Sequence, residues 1–219
     1  MKYTDIIWDF NGTILDDVEA GILSVNKLLS DRGLPTICDK EYYQRVFTFP
    51  IIEYYRALGF DFDTEPYEAL APLWVAEYLK NSKSSPLREG FAEALECFSS
   101  LGIRQHVLSA TELSMLKNQL SELGIANRFL SVYGLDNIHA SSKTALAKRW
   151  REEHPDATAL FIGDTEHDFA TAKTIGCDCA LVCGGHHSKE KLMACEGAFV
   201  FNDIYDLIAY FVKNSSFDA

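Results

Sequence analysis

Asp9 and Ser109 stand directly behind short apolar runs, "DIIW" (5–8) and "QHVL" (105–108), and Asp164 stands just behind "ALFI" (159–162). Ligands in open α/β sheets gather outside the carboxyl ends of strands, so these three polar residues define one candidate site. In "FIGDTEHDF" Asp168 lies four residues past Asp164, a spacing that brings both to one face at a helix start. With Asp9 they supply three carboxylates. A cluster of hard oxygen ligands suits Mg²⁺, which takes one or two carboxylates together with phosphate and water. Lys143 falls in the first turn of its expected helix, where a cation meets the wrong end of the dipole, and that mild cost argues for a functional reason.

Each of these residues has a plainer reading. "DFNGT" (9–13) carries Asn11-Gly12, the strongest short hairpin signal, between two apolar runs. Ser109 suits a helix cap. His167, between the two acids, reads as an exposed helix residue, and His186 and His187, after two glycines, read as surface. The third carboxylate segment tips "DFNGT" toward a catalytic loop.

The elements that must hold these groups follow from periodicity. The continuous apolar runs 5–8, 105–108, 159–162 and 179–182, with weaker ones at 129–133 and 198–201, suit parallel strands covered on both faces. Amphipathic helices at 89–102, 111–124, 141–154 and 165–176 alternate with them, the second opening on a Thr111 cap. That alternation predicts an α/β fold with a Rossmann-like, doubly wound parallel sheet. Residues 17–85 break the pattern with helical segments only, and "NSKSSP" (81–86) reads as a linker. The expected division is a core of 1–16 and 86–219 and a helical cap of 17–85.

A chain of 219 residues can bury a core without disulfides. Its formal charge of -12 disfavours a nucleic-acid surface, which needs clustered Lys and Arg. No apolar run reaches the ~18 residues of a membrane span, and the N-terminus has no secretory pattern, so the cytoplasm is the default expectation. The six cysteines form no CxxC pair, and reduced, mostly buried thiols are expected.

Strand-"DFNGT", strand-"SAT", "SSK" and strand-"GDTEHD", with a helical insert after the first, resemble the haloacid dehalogenase superfamily. The likeness is to its subfamily I, the phosphoglycolate-phosphatase-like group with a helical cap, and it spans essentially the whole chain. It implies that Asp9 is the nucleophile taking a phosphoryl group and that the Asn11 carbonyl, Asp9 and Asp164 hold Mg²⁺ with Asp168 in support. It implies that Lys143 neutralises phosphate and nucleophile, and that Ser109 bonds a phosphate oxygen. Gly12, Thr13, Ala110 and, from the cap, Thr48 join the substrate-binding set. Two anions must approach each other, so a metal and a lysine make electrostatic sense.

The chain departs from the family pattern at position 11, where the usual general-acid Asp is Asn. An amide donates hydrogen bonds but gives up no proton near neutral pH. Ala110 likewise replaces a more usual polar residue. Haloacid dehalogenases also lack the second Asp but need no Mg²⁺, which would leave the acids at 164 and 168 idle. Phosphonatases use a cap lysine, and the loop "VFTFPII" has none. The expected function is a Mg²⁺-dependent phosphohydrolase for a small phosphorylated metabolite, acting as a monomer or homodimer, with no nucleic-acid or membrane partner. The alternative is a phosphate-binding relative with little turnover. Arg45, Thr48, Phe49, Tyr54 and Arg56 are candidates to read the leaving group.

Overall fold

The computed structural model describes residues 3–136 and 142–215, so Ser141 of the "SSK" stretch lies outside the described residues. Six strands, β1 (Asp5–Trp8), β2 (Arg104–Glu112), β3 (Ser131–Leu135), β4 (Ala159–Gly163), β5 (Asp178–Val182) and β6 (Phe199–Phe201), form one parallel sheet. Their order is β3-β2-β1-β4-β5-β6. The α/β expectation holds, and β1 sits at the centre, between the two directions in which the sheet winds.

Side chains alternate across each strand, so the sheet feeds two cores. Ile6, Trp8, Val107 and Ile162 pack against α5 (Phe91–Ser100), α6 (Leu113–Glu122) and α10 (Ile204–Ser215). Ile7, Leu108, Phe161 and Leu181 face α7 (Lys143–Glu153), α8 (Glu166–Thr174) and α9 (Lys189–Met193). Burial of this kind is worth roughly 1.5–3 kcal/mol for each large apolar side chain. At the opposite end of the sheet from the candidate site, buried Asp5 pins β1 to β2 through Arg104 (2.7 Å) and His106 (2.9 Å).

Four helices are inserted between β1 and β2: α1 (Val18–Asp31), α2 (Lys40–Val46), α3 (Ile51–Ala57) and α4 (Tyr67–Asn81). They share an apolar core of their own, in which Val25, Leu29, Tyr43, Tyr55 and Leu70 are buried. The chain leaves and returns along a short antiparallel ribbon. Leu15 bridges Leu87, Asp16 N–H donates to Pro86 O (2.9 Å), and Arg88 N–H donates to Ile14 O (2.8 Å).

Two expectations need correction. Strand β2 runs on to Glu112 instead of stopping at 108, so Thr111 is extended and caps nothing. It keeps pairing with β3 after an irregularity between Leu108 and Glu112, and Glu112 caps α6 by accepting from the Ser114 and Met115 amides. The cysteines are all free, but only Cys179 and Cys195 are buried, while Cys38 at the start of the cap's second helical stretch is exposed.

Candidate active site

Register brings the expected residues together. Trp8 pairs with Val107 on one side and Ile162 on the other, so Asp9 and Asp164, just past the carboxyl ends of β1 and β4, lie level with Ser109 in the last half of β2. All three are buried. Lys143 opens α7, whose cap is Ser142, and its ammonium is buried between Asp9 Oδ1 and Asp168 Oδ1, donating a hydrogen bond to each.

Asp168 does more than pair with lysine. Its Oδ2 accepts from the Asp164 N–H (3.1 Å), the Thr165 N–H (3.0 Å) and the Thr165 hydroxyl (2.7 Å), completing a capping box at the start of α8. Thus it fixes the backbone that carries Asp164 as well as the lysine. Asp164 accepts from the Thr13 hydroxyl at Oδ1 (2.7 Å) and from the His186 N–H at Oδ2 (2.6 Å). Backbone crowds it closely. A Cβ on Gly12 would stand 2.4 Å, and one on Gly185 2.2 Å, from Asp164 Oδ2. Gly12 also has φ 73°, which other residues rarely adopt.

The other side of Asp9 is built from hydrogen bonds around the Asp17 carboxylate. Asn11 Nδ2 donates to Asp17 Oδ2 and to the Tyr78 hydroxyl, both at 2.7 Å, and its Oδ1 accepts from the Thr111 hydroxyl (2.7 Å). Ser109 Oγ donates to Thr111 Oγ1 (3.0 Å), and Ala110 is exposed between them. Ser109 therefore caps no helix.

Electrostatics follow from burial and charge balance. Burial and the neighbouring Asp168 push Asp9 well above the ordinary carboxylate range, against the pull of Lys143. Burial likewise raises Asp164, with His186 opposing. For Asp168 burial is outweighed by Lys143, which holds it down, and burial of Lys143 is outweighed in turn by Asp168 and Asp9, which hold it protonated. Among the described residues, the buried acids Asp9, Asp17, Asp164 and Asp168 face Lys143 and His186. With all four acids ionised, two negative charges would go uncompensated, which is why Asp9 and Asp164 are raised.

A hard dication answers that excess. Asp9, Asp164 and Asp168 each offer an oxygen, all within 4.8 Å of one another and all buried. An all-oxygen donor set of this size fits Mg²⁺.

The two histidines read as surface are not. His187 is fully buried; its Nδ1 accepts from the Glu166 N–H (3.2 Å), so the proton sits on Nε2, which has no partner. Burial, with Lys191 nearby, lowers its pKa to about 3. His186 meets Asp17 Oδ1 (3.5 Å) and the Tyr43 hydroxyl (2.7 Å). Burial opposes its charge, but the Asp17 carboxylate prevails and raises it to about 9. The sequence carries no sign of this, because the covering residues, Tyr43 and Phe47, come from the inserted helices. His167 is half-buried under Phe49, ring centroids 4.6 Å apart, and burial lowers its pKa.

Of the leaving-group candidates, Phe49 reaches helix α8 of the core through that stacking, and Tyr54 is buried with its hydroxyl unpartnered. Thr48 Oγ1 lies 3.5 Å from the Phe49 carbonyl within its own loop. Arg45 and Arg56 are spent on the insert's surface, Arg45 against Glu41 and the Tyr42 ring, Arg56 against Glu53 and the Phe62 ring. The cations that do join the insert to the core were not singled out. Lys40 Nζ donates to Gly184 O (2.6 Å) and Lys191 Nζ donates to Phe47 O (2.7 Å).

A central strand ending at Asp9 at the switch point, Asp164 behind the neighbouring strand, Asp168 in the first turn of the helix that follows, a buried lysine and a helical insert after β1 define a class. The family of haloacid dehalogenase-like hydrolases matches residues 6–182, and the chain belongs to it. Within that family it is of the phosphoglycolate-phosphatase-like type with a helical cap. It is 24% identical over 213 residues to the phosphoglycolate phosphatase of Vibrio vulnificus, covering 93% of both chains. It is 24% identical over 191 residues to the N-acetylmuramic acid 6-phosphate phosphatase of Pseudomonas putida, covering 85% of each. A haloacid dehalogenase-like hydrolase from Streptococcus pneumoniae superimposes with a TM-score of 0.81 at 22% identity, over 96% of this chain and 99% of that one. No helix among the described residues is long and apolar enough to cross a membrane.

Proposed function

We propose that the chain is a Mg²⁺-dependent phosphohydrolase for a small phosphorylated metabolite, working through an aspartyl-phosphate on Asp9. The observation that carries this reading is the buried ammonium of Lys143 shared by Asp9 and Asp168, with Asp164 in reach of the same point. The relatives named for phosphoglycolate and N-acetylmuramic acid 6-phosphate support the substrate class. Residues 17–85 serve as the cap and the remainder as the core.

Asp9, the Asn11 backbone carbonyl and Asp164, with Asp168 behind them, would hold Mg²⁺, which would supply positive charge for the carboxylate and phosphate oxygens that must meet. Lys143 aims the Asp9 carboxylate and opposes the burial that favours its protonated form. Ser109 and the backbone N–H groups opened by Gly12 receive phosphate oxygens, with Thr13 holding Asp164 in place and Ala110 and Thr48 lining the substrate. One Asp9 oxygen bonds to phosphorus as the bond from phosphorus to the leaving oxygen breaks, and the electron pair departs with that oxygen. Water then attacks phosphorus, the bond to Asp9 breaks, and inorganic phosphate leaves. Asn11 donates no proton to the leaving oxygen, so good leaving groups are favoured.

The test is hydrolysis of an aryl phosphate with and without Mg²⁺, for the parent and for Asp9→Asn. Mg²⁺-dependent release by the parent alone supports the reading. Phosphate binding without release by either protein would favour the alternative suggested by Asn11, a phosphate-binding relative with little turnover.

A further inference from the structure

Position 11 carries an amide where the family pattern has an acid, and its neighbours are matched to an amide. The Asp17 carboxylate can only accept, so Nδ2 must face it, and Oδ1 is left for the Thr111 hydroxyl. Tyr78 closes a triangle, accepting from Asn11 Nδ2 (2.7 Å) and donating to Asp17 Oδ2 (2.6 Å). The second Asp17 oxygen accepts from the Gly12 N–H (2.7 Å). Asn11 and Gly12 belong to the loop after β1, Thr111 to β2, Asp17 precedes α1, and Tyr78 lies on α4. Asp17 and the Tyr78 ring are buried, so each lost bond leaves a polar atom without water.

We propose that Asn11, Asp17 and Tyr78 form a clasp that holds helix α4 against the catalytic loop, with Asp17 and Tyr78 acting as positioning residues for cap closure. Asn11 is in this view the correct partner for Asp17, and not only a lost acid. A carboxylate in its place would set two acids side by side, and they would have to part or share a proton. The same chain of bonds continues through Thr111 to Ser109, so the residue assigned to phosphate is joined to the cap helix by three hydrogen bonds in series. That last link, and the kinetic arm of the test, rest on the phosphatase reading; the clasp does not.

Tyr78→Phe removes one hydroxyl and keeps the ring that stacks on Trp74 at 4.9 Å. Hydrogen exchange followed by peptide should show the amides of α1–α4 opening about five- to tenfold faster, with β1, β2 and β4 unchanged. The KM for an aryl phosphate should rise about fivefold with kcat changed less than twofold, a split that mere destabilisation of the fold does not produce. Asn11→Asp should loosen the same helices. Exchanging the pair, Asn11→Asp with Asp17→Asn, reverses donor and acceptor and should return their exchange to the parent rate. Unchanged exchange in Tyr78→Phe, or a swapped pair as loose as Asn11→Asp, overturns the clasp. If the protein turns over no phosphate ester at all, the exchange measurements still decide it.

Discussion

The two flanks of Asp9 are built differently. On one side stand Lys143, Asp168 and Asp164, all from the sheet and its covering helices, joined by full charges in a buried setting. On the other stand Asn11, Thr111, Asp17 and Tyr78, drawn from both sheet and insert and joined by hydrogen bonds in which Asp17 is the single formal charge. Charge acts over distance and tolerates small displacements. A triangle of hydrogen bonds holds only while three elements keep their places. The charged flank is therefore suited to chemistry, and the hydrogen-bonded flank to sensing where the cap lies.

The largest effect belongs at the boundary between them. Asp9→Asn should remove turnover of aryl and alkyl phosphates alike while circular dichroism stays that of the parent. Residual turnover above about a thousandth of the parent would move the nucleophile elsewhere. To break the charged flank, Lys143→Met leaves Asp9 and Asp168 buried without their cation. Removing one partner of a buried ion pair costs about 3–5 kcal/mol, to be read from urea unfolding. A loss below about 1 kcal/mol would mean that solvent or a bound ion already screens these acids.

The hydrogen-bonded flank should appear in substrate preference. The parent should favour aryl over alkyl phosphates by up to the ~10²–10⁴-fold that general acid catalysis contributes. Asn11→Asp alone pits this gain against the acid at Asp17. Paired with Asp17→Asn, the new carboxylate is freed of that conflict, and alkyl phosphates should speed up more than aryl ones. Equal acceleration of both would point to another proton donor, with His167 the first to replace.

The smallest effect separates the neighbouring histidines. His187 has its folded pKa lowered to about 3 from 6.5, so its contribution to stability is present above 6.5 and is lost as pH falls toward 3. At pH 5 that loss is about 2 kcal/mol, and His187→Gln should flatten the acid limb of a stability profile by this amount. His186 is raised to about 9, so its contribution is present below 6.5 and is lost as pH rises through 9. A single-limbed profile with no alkaline loss would argue that His186 is not tied to Asp17.

The charged flank was legible because its residues follow their own strands: Asp9, Asp164 and Asp168 are each announced by an adjacent apolar run or helix start. Strands 5–8, 159–162 and 179–182 were legible for the same reason and lie within a residue of those observed. The other flank was not. Asn11 meets partners 6, 67 and 100 positions away, and no local pattern encodes those meetings. The misread end of β2 has the same origin, since Thr111 is kept extended by pairing toward β3, a tertiary demand that overrides its capping preference. His186 and His187 followed a glycine pair and looked like a surface loop, because what buries them arrives from residues 43–49.

The ribbon joining Leu15 to Leu87 has a bearing on how such proteins diversify. Because outgoing and returning chains are already stitched together just beyond the carboxyl end of β1, the helices beyond that stitch form a cassette with adjacent ends. Insertions with neighbouring termini are tolerated by a host fold. A foreign helical cassette spliced beyond the ribbon should leave the sheet and its charged flank folded. It would inherit the charged flank and need to supply equivalents of Asp17 and Tyr78 to close over it.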